Sequence, residues 1–132
     1  MATQLKELET TKIAFLTVIF PKNKNFLLKF FNSLSNQSYK KFDLLVINDG
    51  IKDFQNYKED FTNLNIIDIN FNSSPVKNRE VGINYCIENK YDVLIFGDSD
   101  DYFENNRIQK SLEILKNNDI VVNDLSLFDE NS

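Results

Sequence analysis

The sequence predicts an α/β domain built on a mostly parallel sheet with helices on both faces. Two observations predict it. Short apolar runs of strand length alternate along the chain with segments of helical apolar spacing, the order that builds parallel sheets. Two of these runs, residues 42–47 and 93–96, end abruptly in acids, as strands do where an open α/β sheet meets its ligand.

Each element follows from local chemistry. Residues 13–20 carry no charge and read as a fully buried strand stopped by Pro21. Asn25 is placed to cap the next helix, where Leu27, Phe30, Phe31 and Leu34 recur at helical spacing and form one apolar face. Asn36, Gln37 and Ser38 end that helix. Residues 42–47 form a second strand that runs into the turn Asn48-Asp49-Gly50. A short helix is expected over 53–61, a third strand over 65–69 and a loop over 70–75. Residues 76–89 read as a helix with Val76, Arg79/Glu80, Ile83 and Ile87 along one side, although Gly82 weakens it. The strand 93–96 follows, then a helix over 105–117 with Ile108, Leu112 and Leu115 facing inward. A last strand begins at residues 120–122 and extends toward Phe128.

Composition narrows the function. The chain has 132 residues, 42% of them hydrophobic and 12 of them Phe, enough for one folded domain with a core. A net charge of -5 and the lack of a basic stripe argue against nucleic acid as a partner. The small cluster Lys22-Asn23-Lys24 reads as solvated surface or a phosphate contact. One cysteine, Cys86, allows no internal disulfide and reads as a small core residue in a reducing compartment. The absence of histidine removes Ser-His-Asp and Cys-His catalysis and every His-based metal site, so any metal here is held by oxygen. No leader or membrane-spanning run is visible, which predicts a cytoplasmic protein, with peripheral membrane attachment left open.

The sharpest feature is Asp98-Ser99-Asp100-Asp101 at the end of the 93–96 run. Two carboxylates about 6 Å apart repel by roughly 3 kcal/mol at an effective dielectric near 20. A divalent cation turns that repulsion into attraction, and a metal at a strand tip points to a phosphorylated ligand. The plainer reading is that Asp100 or Asp101 caps a helix beginning near Glu104. Likewise, Asn48-Asp49-Gly50 alone is an ordinary turn. Two acidic tips on one sheet edge make the case for a ligand crevice, and Gly50 lets a ligand approach closely.

At this point the chain resembles the family-2 glycosyltransferases, which have the GT-A (Rossmann-like) fold. The resemblance runs from about Lys12 to Leu115. It rests on a strand ending in Pro21, a helix running into Gln37-Ser38-Tyr39, the Asn48-Asp49-Gly50-Ile51 tip, the segment Asn78-Arg79-Glu80-Val81-Gly82, and the Asp98-Ser99-Asp100 motif. It implies a nucleotide-diphosphate sugar as donor, a UDP-sugar first, with Mn2+ or Mg2+ as cofactor and a saccharide or lipid-linked acceptor. Asp49 would contact the base, with Thr17 and Pro21 lining its pocket. Arg79 would reach the nucleotide, Asp98 the ribose and Asp100 the metal. On its own, Arg79 reads equally as a surface helix residue.

Three departures stand out. Asn48 replaces the first acid of the family's Asp-Asp pair, Ile51 the serine after the glycine, and Glu80 the asparagine after the arginine. No catalytic base can be assigned. The family's base and acceptor site lie beyond the Asp-x-Asp half. Residues 1–132 are therefore expected to be one domain, truncated before the acceptor-binding half, whose uncovered edge would favour self-association. The rival from another class is a non-catalytic nucleotide-binding or interaction module, which would hold a nucleotide without turnover. A haloacid-dehalogenase-type phosphotransferase needs later motifs that the short remainder cannot supply. A sugar nucleotidyltransferase opens on a glycine-rich loop that this chain lacks. An EF-hand fails because Phe103 and Gln109 stand where it needs Gly and Glu.

Overall fold

The computed structural model describes residues 11–118. Four strands, β1 (Ile13–Ile19), β2 (Asp43–Asn48), β3 (Asn65–Asn70) and β4 (Val93–Phe96), form one sheet of order β3-β2-β1-β4. All three pairings are parallel. The chain steps outward from β1 to β3, then returns to the other side of β1. The strand order reverses there, so a crevice opens between the C-terminal ends of β1 and β4. β4 is also short. Its last residue, Phe96, pairs with Leu16, whereas β1 continues to Ile19 beside Asn48.

Alternation along the strands sends apolar side chains to both faces. Phe15, Ile19, Leu44, Val46 and Ile95 meet α1 (Leu27–Ser35), α2 (Phe54–Asp60) and α4 (Arg107–Leu115) on one face. The phenylalanines concentrate here. The Phe31 ring lies 5.3 Å from Phe30, 5.6 Å from Tyr57 and 5.5 Å from Phe61, close enough for edge and tilted packing. On the opposite face Ala14, Leu16, Leu45 and Ile47 pack with α3 (Pro75–Glu88). The expected fold class, a parallel α/β sheet covered on both sides, is the one observed.

The structure corrects three local expectations. Asn25 is not a helix cap. Pro21 opens a 3-10 helix, Pro21–Phe26, that passes directly into α1 without a side-chain cap. Of the expected inward side of α3, Val76, Arg79/Glu80, Ile83 and Ile87, only Ile83 packs on the core. Val76 and Ile87 are 74% and 69% exposed, and the buried positions are Asn78, Gly82 and Cys86. Gly82 is there for contact: a Cβ would sit 2.4 Å from Leu16 Cδ1, so a larger residue would displace the Leu16 side chain or lift α3 from β1. Finally, α4 starts at Arg107 with Asn106 before it and no side-chain cap. Asp100 and Asp101 therefore do not cap that helix. The expected strand over 120–128 lies outside the described residues.

Candidate active site at the sheet switch point

The crevice at the C-terminal ends of β1 and β4 has a volume of about 490 Å³. Thr17, Pro21, Asp49, Arg79, Asp98 and Asp100 all line it. The six residues singled out in the sequence, spread over more than eighty positions, are thus brought to one place. Lys22 and Asn23 line it as well, while Lys24 is paired with Asp53 at 2.9 Å on the surface.

The β2 side is built by a turn. Asp49 N–H donates to the Ile19 carbonyl at 2.8 Å, carrying the β1–β2 ladder one residue further. Gly50 follows with φ +104°, a conformation that side chains rarely adopt. Asn48 is buried and faces the turn. Its Nδ2 donates to the Ile51 carbonyl, and its Oδ1 accepts from Ile51 N–H, both at 2.8 Å. Asn48 therefore fixes the turn and leaves Asp49 as the acid at the ligand edge. Ile51, in the family's serine position, is a buried core residue.

Sequence reasoning missed the residue that holds Asp49. Asn78, buried in the first turn of α3, donates from Nδ2 to Asp49 Oδ2 at 2.7 Å and to the Ser73 carbonyl at 3.3 Å. Its Oδ1 is buried without a partner, as is Thr17 Oγ1. Arg79, next along the helix, is exposed at the crevice wall. Glu80 is exposed and is not part of the lining, so its charge does not point into the site.

The β4 side carries the acids. One carboxylate oxygen from each of Asp98, Asp100 and Asp101 lies within 4.8 Å of the others. Asp98 and Asp100 are exposed and Asp101 is half-buried. Ser99, between the first two, is 1% exposed and accepts from Asn23 Nδ2 at 3.2 Å. This inward Ser99 leaves its two acidic neighbours facing outward. Burial pushes the Asp101 carboxyl up, and the charges of Asp100 and Asp98 push it further; Arg107 opposes them. Arg107 Nη2 donates to the Phe96 carbonyl at 2.9 Å, and its guanidinium lies 4.4 Å from the Phe103 ring centroid.

From below, Gln37 anchors the same loop. It is fully buried, donates to the carbonyls of Ser33 at 3.0 Å and Glu104 at 2.7 Å, and accepts from Ile108 N–H at 3.1 Å. Ser38 N–H adds a bond to the Asn105 carbonyl at 2.7 Å. The acidic loop is thus fastened at both ends.

Three close carboxylates with no histidine or thiolate nearby are a donor set for a hard divalent cation. Among the described residues they form the one acidic or metal-ligating cluster of this kind. No described helix is long and apolar enough to cross a membrane.

A parallel switch-point crevice with an acid on each side is the arrangement of a GT-A glycosyltransferase domain. The family model for glycosyl transferase family 2 matches residues 16–131, and the chain belongs to that family. No curated protein matches it at a significant level. Among solved structures, S. aureus TarS 1–349 in complex with UDP is similar, with TM-score 0.64 and 22% identity, over 80% of this chain and 32% of that one. TarS 1–349 in complex with UDP-GlcNAc gives TM-score 0.64 and 20% identity, over 80% of this chain and 31% of that one. The chain therefore spans about a third of the length of these structures.

Proposed function

We propose that this chain is the donor-binding half of a glycosyltransferase that moves a sugar from a UDP-sugar to a saccharide or lipid-linked acceptor, with Mn2+ or Mg2+ bound. The observation that carries the reading is the meeting of Asp49 with Asp98 and Asp100 across one crevice of about 490 Å³, a volume that suits a nucleotide. The complexes of TarS with UDP and UDP-GlcNAc support the choice of base. Asp49 accepts a hydrogen bond from the base, Thr17 and Pro21 line the base pocket, and Asp98 accepts from the ribose. Arg79 reaches the diphosphate from the first turn of α3, and Asp100 holds the metal.

The chemistry asks for these groups. The bond from the anomeric carbon to the diphosphate breaks as the oxygen of an acceptor hydroxyl, giving its proton to a general base, forms the new one, and negative charge collects on the leaving diphosphate. Asp100 would hold a divalent cation here, which would supply charge stabilisation to that leaving group. Arg79 adds a positive charge from the α3 side of the crevice, and the acidic loop, held by Gln37 and Ser38, presents Asp98 and Asp100.

Thermal unfolding tests this. UDP or Mn2+ alone should shift the midpoint little, and both together at a hundred times the dissociation constant should add about 2.7 kcal/mol. Asp100→Ala should abolish the joint shift. No shift with UDP, GDP or dTDP, with or without Mn2+, would sink the proposal.

A further inference from the structure

We infer that Asn78 is a positioning residue that decides which pyrimidine the crevice accepts; the inference rests on the proposed role of Asp49 at the base. Both protons of the Asn78 amide are committed, one to Asp49 Oδ2 at 2.7 Å and one to the Ser73 carbonyl at 3.3 Å. Two acceptors on the same side fix the amide, because a flip would turn its oxygen onto a carboxylate and a carbonyl. One oxygen of Asp49 is therefore tethered, and the carboxylate cannot swing freely.

The remaining oxygen only accepts. Uracil offers it an N–H between two carbonyls. Cytosine is the same size but has a lone pair on that ring nitrogen, which a fixed carboxylate repels. An untethered carboxylate would rotate and take the cytosine amino group instead. Selection between the two bases thus depends on the tether as well as on the acid.

A second observation sets this apart from a purely structural role. Asn78 Oδ1 is buried without a partner, and such an atom costs stability. Alanine would remove it and suit the helix better. What the fold gains from asparagine here is its two donated bonds, and the shorter of them ends on Asp49, whose orientation it sets.

Calorimetric titration of this chain with UDP and with CDP, each in Mn2+, tests the inference. Wild-type should prefer UDP. Asn78→Ala should narrow the UDP-over-CDP ratio by about tenfold, a readout that a lower melting midpoint alone would not move. Asn78→Asp, nearly the same size, should lose UDP binding because two carboxylates then face each other. If Asn78→Ala fails to fold, Asn78→Ser reads out the same ratio. If wild-type binds neither nucleotide, the nucleotide reading falls and takes this inference with it. If wild-type binds UDP but the ratio is unchanged in the variant, or both affinities fall equally, this inference alone is overturned.

Discussion

Asn48 shows how a single substitution can be consistent within its own surroundings. Its amide both gives to and takes from Ile51, at 2.8 Å each way, in a buried turn. An aspartate there keeps the acceptor but sets a second oxygen against the Ile51 carbonyl. Asn48→Asp, which would restore the family's acid pair, should therefore destabilise the fold by about 1–3 kcal/mol at neutral pH. A lower urea midpoint with an unchanged slope would show it. At this scale the acids were legible in the sequence because they interrupt uncharged runs. Asn78, Ser99 and Gln37 were not, because their partners lie far along the chain: 29 residues from Asn78 to Asp49, 76 from Ser99 to Asn23 and 67 from Gln37 to Glu104. A buried polar side chain declares itself only once its partner is known.

Elements were legible where apolar pattern alone decides them. β1, β2, β4 and the face of α1 follow from it directly. The face of α3 does not, because close packing on β1 selects small residues, and Asn78, Gly82 and Cys86 carry less apolar weight than the exposed Val76 and Ile87. The start of α1 was obscured by the 3-10 turn that Pro21 initiates. Gln37 links two elements, closing α1 against the N-terminus of α4. Gln37→Ala strands the buried Ile108 N–H and takes one donor from each of the half-buried Ser33 and Glu104 carbonyls, the latter still accepting from Arg107 N–H, which should cost about 1–3 kcal/mol. The Ile108 amide should also exchange with solvent faster than in wild-type, and faster than the amides of β2. Unchanged protection at Ile108 would show that the acidic loop is held by its other contacts.

Over the whole molecule, charge and topology bear on the same ligand. The net charge is -5, and three acids, Asp49, Asp98 and Asp100, line the crevice that also holds Arg79. A diphosphate approaching without a cation meets repulsion that salt screens. Metal-free UDP binding should therefore be weak and should strengthen severalfold as ionic strength rises from about 10 to 150 mM. With Mn2+ present that dependence should vanish or reverse. Titrations at the two ionic strengths decide it, and weaker metal-free binding at higher salt would contradict the repulsion. The order β3-β2-β1-β4 could not be read from the sequence, since alternation fixes parallel pairing but not which side of β1 receives the fourth strand.

That fourth strand stops three β1 residues short of the second, at Leu16 where β2 reaches Ile19. At about 3.3 Å per residue, the two strand ends differ in height by about 10 Å. The floor between them is a staircase, and a molecule that touches both treads must lie aslant across β1. Its reach is then gauged by the unequal lengths of two strands, so a pair of residues added to β4 would alter what fits without changing any side chain that touches it.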